Sequence, residues 1–425
     1  MNTLSRRRFA QISSLSLAAA VLAGCSGSSG SSGANTVTWS TWGSPEELKR
    51  YDAVQEQFKK DHPEVELVFQ PTASYSDYHS KLLTQLSSGT APDVFYVGDD
   101  RIASFIRNGV LLPIEGETSL DLDSFNSSLL DVARFEGALY ALPNDCNPDC
   151  LWFDKEALKA AGITEDPATL AASDQWTTEA FFAMTAKLKA AGLNGACYWN
   201  YWGTHDSIIS CGGGKVYDGD TYVANTDPAS VKALEEYATR FRSGELIVAD
   251  LLPEGTGEDS LLVTHQLGFL AAGRYTIGTI EGAGVDKDLY DIVRWPTPDG
   301  AAAPTGVAAS YLAINAKTKN KAGALAFYDT YLSAAGQELR LSEGGNAVPS
   351  ITGADEIVLA DGYPAHAQTM LDMRDAGFSN YPVEAAVTDL SNEIAVEYMQ
   401  PLYQGKATTQ ETLDAIAALV AEKAS

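Results

Sequence analysis

Positive charge is scarce in this chain of 425 residues: 29 lysines and arginines face 56 aspartates and glutamates, for a net charge of −27. So acidic a surface repels nucleic acid and anionic lipid, which argues against a nuclease or a DNA-binding protein. Histidine is scarcer still. The five present are scattered, so neither a His-rich metal centre nor any other metal or cofactor is expected. No H-E-x-x-H, P-loop or Ser-His-Asp signature occurs. A secreted glycosidase needs a pair of acids, but among 56 acidic residues such pairs are inevitable and carry no weight. After the first thirty-odd residues no apolar run approaches the ~20 needed to span a bilayer, and no fixed-period repeat is visible.

What is present begins at Met1–Gly33. Arg6, Arg7 and Arg8 precede an apolar run from Ile12 to Ala23, the pattern of a secretory signal rather than a spanning helix. Leu22-Ala23-Gly24-Cys25 resembles the bacterial lipobox, which implies cleavage before Cys25 and lipidation of its thiol. Ser5-Arg6-Arg7-Arg8-Phe9 also resembles a twin-arginine export signal, with the general secretory route as its rival. We therefore expect a signal peptide over 1–24 and a Ser/Gly tether over 25–35, with the protein outside the cytoplasm and held at the cell membrane by lipid alone. The other four cysteines are Cys146, Cys150, Cys197 and Cys211. An even number in an exported chain favours disulfides. Of the three pairings, Cys146–Cys150 and Cys197–Cys211 are local in sequence and are expected. A four-cysteine zinc site is the weaker reading, because neither spacing is C-x-x-C.

Along the chain, alternation predicts a strand at 36–42, followed by a helix with Ser44 as N-cap and Pro45 at its first position. A strand at 65–69, a helix at 76–88 closed by Gly89, and a strand at 92–97 follow. Tyr78, Leu82, Leu83 and Leu86 are expected on the helix's inner face. This order implies an α/β lobe with a largely parallel sheet. Leu142-Pro143 leads into a crossover towards a second lobe. Helices are expected from about 176 to 190, from Asp227-Pro228 to 241, from 321 to 333, and at the C-terminus behind a capping box, Thr408 to Glu411. The segment 268–278 reads as a strand returning to the first lobe.

With that order in hand, several motifs fall in register with one family. They are Gly89-Thr90-Ala91-Pro92-Asp93-Val94, Gly109-Val110-Leu111-Leu112-Pro113, Leu139-Tyr140-Ala141-Leu142-Pro143 and the Phe269–Arg274 F-x-x-G-R segment. The chain resembles the family-1 extracellular solute-binding proteins of bacterial ABC importers, the carbohydrate binders related to maltose-binding protein. The resemblance implies an α/β, two-lobe, type II binding-protein fold, with ligand held in a cleft between lobes joined by hinge strands. We expect an N-terminal lobe from 36–143 and 265–314, and a C-terminal lobe from 144–264 and 315–425. It also implies a permease as membrane partner, engaged by the closed form; the protein is expected to be a monomer.

A sugar offers hydroxyls and an apolar ring face, so its site needs aromatic platforms and planar polar groups. In α/β lobes these sit in loops past the carboxyl ends of strands. That rule selects Trp42, Gly43 and Ser44 after the first strand, and Asp99 and Asp100 after the third; Asp100-Arg101 also matches an acid–arginine pair of the family, which favours Asp100. Asn144, Asp145 and Asn147 lie at the first crossover, where the family places a binding carboxylate. Of the aromatic run at 199–202, Trp199 is a candidate, and Asn200 and Trp202 are favoured. Tyr75, Arg274 and Ser310 complete the set, with Glu281 where the family often has a stacking Trp. The expected function is capture of a neutral mono- or oligosaccharide for import, without catalysis. A non-sugar solute, or a secreted carbohydrate-active enzyme, is the alternative.

Overall fold

The computed structural model describes residues 35–43, 48–253 and 256–424. The expected signal peptide, Cys25, the tether to residue 34, and Ser44 lie outside the described residues.

Ten strands build two sheets. They are β1 (Thr36–Ser40), β2 (Glu66–Phe69), β3 (Val94–Gly98), β4 (Ala141–Pro148), β5 (Cys150–Asp154), β6 (Asn194–Tyr198), β7 (Leu246–Val248), β8 (Leu267–Ala272), β9 (Tyr290–Val293) and β10 (Val307–Ile314). The first sheet runs β2-β1-β3-β10-β4 and the second β7-β6-β8-β5-β9. In each, three parallel strands are followed by one antiparallel strand, β10 or β5, and then by a fifth that runs with the first three. The parallel strands are joined by helices, as crossover connections require. The chain passes from the first sheet to the second at Asp149, between β4 and β5, and returns between β9 and β10.

Local signals placed many of the helices. Ser74 Oγ accepts from the Asp77 amide at the start of Tyr75–Ser88, and Gly89 ends that helix at φ 72°, a left-handed position that suits glycine. Asp227 caps Pro228–Ser243, and Thr408 with Glu411 forms the expected capping box on Thr409–Lys423. Tyr78, Leu82 and Leu86 are buried, whereas Leu83 lies on the exposed face, 39% accessible.

Each sheet has its own aromatic core. Trp39 of β1 is fully buried, stacks on Phe69 at 4.2 Å, and meets Phe327 and Tyr331 at 5.3 and 5.4 Å. On the second sheet Phe269 packs against Trp176 at 5.9 Å and Phe181 at 5.3 Å.

Three expectations are corrected. First, the strand at 267–272 pairs with β5 and β6, so it belongs to the second sheet, as does β9. Only β10 of the 265–314 segment joins the first. Conversely the helix Lys321–Leu332 packs on the first sheet through Phe327 and Tyr331. Periodicity reveals which face of an element is buried, not its partner. Second, the strand ends at Ala272 and the chain turns into a helix, Thr276–Ala283.

Third, Cys146, Cys150, Cys197 and Cys211 are buried free thiols. Cys146 lies in β4 and Cys150 opens β5. Extended chain at ~3.3 Å per residue holds residues four apart at about 13 Å, well beyond disulfide reach of about 7 Å. The Cys146 thiol points at the Val348 carbonyl, and Cys150 Sγ meets Met373 Sδ at 3.5 Å. In β6, Tyr198 faces Tyr237 and Phe241 of the helix Pro228–Ser243, against which the helix ending in Cys211 packs. Cys197, the preceding residue, therefore points through the opposite face of the sheet.

Candidate functional site

A cleft of about 440 Å³ opens between the sheets, within the range of about 300–1,000 Å³ usual for small-molecule sites. Its first wall is built from the ends of β1 and β3. Trp42 follows β1 and meets Tyr75 edge-on at 4.9 Å and Tyr96 at 5.4 Å. The Tyr75 hydroxyl donates to Asp100, and Gly98 leaves room for it, because a Cβ there would run into that hydroxyl.

Asp99 lines the cleft and is 7% exposed. One of its oxygens accepts from the Ala309 amide at 2.8 Å and the other from Trp202 Nε1 at 3.4 Å. Burial, reinforced by the Asp100 charge, pushes its pKa up to about 7. Asp100, the favoured neighbour, does not line the cavity. It pairs with Arg101 at 3.4 Å, and Arg101 pairs onward with Asp389 at 3.1 Å.

The floor comes from the crossover. Asp145 accepts from Ser310 Oγ and Asn144 Nδ2, both at 2.8 Å, and from Arg340 Nη1 at 3.3 Å. Arg340 is buried beneath, its guanidinium 4.2 Å from the Tyr331 ring centroid. Asp145, Asn147 and Ser310 line the cavity; Asn144 is fully buried and orients them. Asn147 Oδ1 accepts from the Arg274 amide at 2.9 Å. Asp149, at the crossing itself, accepts from the Tyr201 hydroxyl, and burial pushes its pKa up to about 6.

The second wall holds Trp199, Asn200, Tyr201, Asp250 and Tyr275. The Asn200 amide N–H donates to Asp250 at 2.8 Å. The Asn200 side chain is fully engaged elsewhere, with the Ala395 carbonyl at 2.9 Å and His205 Nε2 at 3.0 Å.

Several expected residues are not brought to the cavity. Trp202 opens a helix, Trp202–Cys211, instead of continuing the strand, and its ring is buried behind the wall at 4% exposure. Arg274 is fully buried and its guanidinium donates to the carbonyls of Leu341, Ala347 and Ile357; it clamps the chain after β10's helices onto the end of β8. Glu281 and Gly43 also lie away from the lining. Sequence reasoning missed Tyr96, Asp149, Asp250 and Tyr275; Tyr201, in the aromatic run but not among the favoured residues, does line the cavity. Asp250 and Tyr275 follow the carboxyl ends of β7 and β8, so the loop rule would have found them had those strands been assigned to the second sheet.

Chemically, the cleft offers aromatic faces and hydrogen-bond acceptors from both lobes. Two similar sheets facing each other across such a cleft, joined by crossing segments, define a two-lobe solute-binding fold. The sequence profile of the bacterial extracellular solute-binding protein family matches residues 42–338, and the chain belongs to that family. A maltotriose-binding protein of Pyrococcus abyssi is 24% identical over 287 residues, 65% of this chain and 58% of the relative. The diacetylchitobiose binding protein DasA of Streptomyces coelicolor is 27% identical over 277 residues, 61% and 60% respectively. The chain thus spans less than two thirds of either relative. In fold, it is similar to the ABC substrate-binding protein Lmo0181 of Listeria monocytogenes, crystallised with cycloalternan, at TM-score 0.77 and 18% identity over 91% of this chain and 98% of that one. The expected fold class is the one found. Among the described residues no helix is long and apolar enough to cross a membrane.

Proposed function

We propose that the protein is the carbohydrate receptor of an ABC importer, capturing a mono- or oligosaccharide between its lobes and delivering it to a membrane permease. The observation that carries this reading is the cleft lining: Trp42, Tyr75 and Trp199 present ring surfaces, and Asp99, Asp145 and Asn147 present acceptors, from both sides of one cavity. Sugar rings stack on the former and sugar hydroxyls donate to the latter. Among the described residues the lining contains no lysine, arginine or histidine, which disfavours an acidic sugar. The binding specificities in the names of the relatives, maltotriose and diacetylchitobiose, support a sugar. The receptor acts as a monomer without catalysis, tethered outside the cytoplasm through lipidated Cys25, which keeps it at high effective concentration near its permease.

Thermal unfolding against a panel of mono- and oligosaccharides tests the reading, since a ligand that binds only the native state raises the midpoint by mass action. Trp199→Ala is expected to abolish most of that shift and leave the ligand-free midpoint within a few degrees. Turnover of the sugar, or a response only to non-sugar solutes, would overturn the proposal.

A further inference from the structure

The charges around the cleft are one-sided. Among the described residues, every ionisable carboxylic or basic side chain in its lining is an aspartate: Asp99, Asp145, Asp149 and Asp250. Only Asp145 has a cationic partner, Arg340. The other three are held by uncharged donors. These are the Ala309 amide and Trp202 indole for Asp99, the Tyr201 hydroxyl for Asp149, and the Asn200 amide for Asp250. The second wall is backed by further acids. Glu258 and Asp259 open a helix, Glu258–Val263, close enough to the wall that Asp250 helps to raise Glu258 and the two acids help to raise the Tyr275 phenol. Two basic groups expected near the ligand are engaged outside the lining: Arg101 with Asp100 and Asp389, and Arg274 with three carbonyls.

Hydroxyl groups of a neutral sugar can donate to such carboxylates, but they bring no charge to offset the cost of burying Asp99 and Asp149, with Asp250 exposed beside them. A protonated amine does both. The aromatic faces of Trp42, Tyr75, Tyr96, Trp199, Tyr201 and Tyr275 around the same cavity add the quadrupole attraction that cations find at ring faces. The same burial drives Asp99 and Asp149 towards their protonated forms. A cation seated between them would reverse that drift.

Resting on the carbohydrate reading above, we propose that the sugar this cleft takes carries a free, protonated amine, a basic amino sugar rather than the neutral one that the sequence suggests. The ammonium sits among Asp99, Asp149 and Asp250, and the pyranose ring lies against the aromatic walls. This separates two tasks: the rings select a sugar, and the uncompensated acids select its charge.

Calorimetry on the full mature chain tests this with three matched series: glucosamine and its oligosaccharides, their N-acetylated forms, and the corresponding glucose compounds. We expect the free-amine forms to bind at least tenfold tighter than either counterpart, with an affinity that falls as salt is raised. Asp250→Asn, at an exposed position, and separately Asp149→Asn are each expected to narrow that ratio several-fold. Should Asp149→Asn not fold, Asp250→Asn alone decides. Equal or tighter binding of the N-acetylated or glucose forms would overturn the amine proposal and leave the carbohydrate reading standing. Silence from all three series, with binding of a non-sugar polyamine such as spermidine, would overturn the carbohydrate reading and with it this one.

Discussion

The floor of the cleft and its second wall handle negative charge in opposite ways. On the floor, Asp145 is neutralised from behind by the buried Arg340; beside the first wall Arg101 neutralises Asp100, while Asp99 of that wall rests on an amide and an indole. On the second wall and at the crossing, Asp250 and Asp149 rest on an amide and a phenol. Strand pattern does not explain this, since both sheets share one pattern, with only the fourth strand running against the other four. The difference lies in what stands behind each wall. Arg340, from the helix Ala334–Leu341, is packed beneath the floor, whereas the helix behind the second wall begins with Glu258 and Asp259. Paired acids hold the architecture; unpaired ones are left for something that arrives from solution.

The most severe break of this contrast is Arg340→Met. It removes the only cation from Asp145 and should cost about 3–5 kcal/mol, the usual penalty for orphaning a buried charge. Urea unfolding measures it, and a loss below ~1 kcal/mol would mean that the pair does not hold the floor.

Next comes Asp99→Asn, read through pH. In the native state Asp99 keeps its proton up to about pH 7, against an ordinary value of 3.8. Between those values the native state binds more protons than the unfolded chain, so this group's contribution to stability falls as pH rises from about 4 to 7. Its amplitude is on the order of 4 kcal/mol. The substitution should flatten that fall but not erase it, because Asp149, Asp206 and Glu384 are raised by burial too. His79 and His205, lowered by burial to about 4 and 3 from 6.5, act in the opposite sense. They make stability fall on acidification below about 6.5, and that limb should persist. Guanidinium titrations at pH 5 and pH 8 separate the two.

Gly98→Ala should cost about 1–3 kcal/mol as an overpacking change and push the Tyr75 ring out of the first wall, weakening ligand capture at the same time. Ligand affinity unchanged alongside lost stability would place Tyr75 outside the binding surface. The smallest effect is expected from Asp389→Ala. Its pair with Arg101 is solvent-accessible and should be worth about 0–1 kcal/mol, declining with salt.

Much of this was legible locally. Asp93 in the Gly-x-Ala-Pro-Asp-Val motif binds the Thr38 amide and hydroxyl at 2.9 and 2.8 Å, tying β3 to β1, and the caps at Asp227 and Thr408 acted as their sequences imply. Trp42, Asp99, Asp145, Asn147, Trp199 and Ser310 were named and do line the cleft. The failures share a cause. Trp202 was favoured as a ligand-binding residue, but the chain turns into a helix after Tyr201 and buries its ring, and four consecutive polar and aromatic residues carry no signal for where such a turn falls. Arg274 looked like a basic group near the ligand; its role depends on carbonyls some seventy residues further along the chain. The cysteine pairs were inferred from closeness in sequence, which in an extended strand means distance in space. In each case the missing information was a long-range partner.

The Trp202–Asp99 hydrogen bond has one more consequence. The indole belongs to the second lobe and the carboxylate to the first, so any separation of the two sheets parts them. Trp202 would then exchange an ionisable neighbour for water, and its emission would shift and change in intensity. The protein thus carries its own optical gauge of lobe position, usable in stopped-flow without an attached dye.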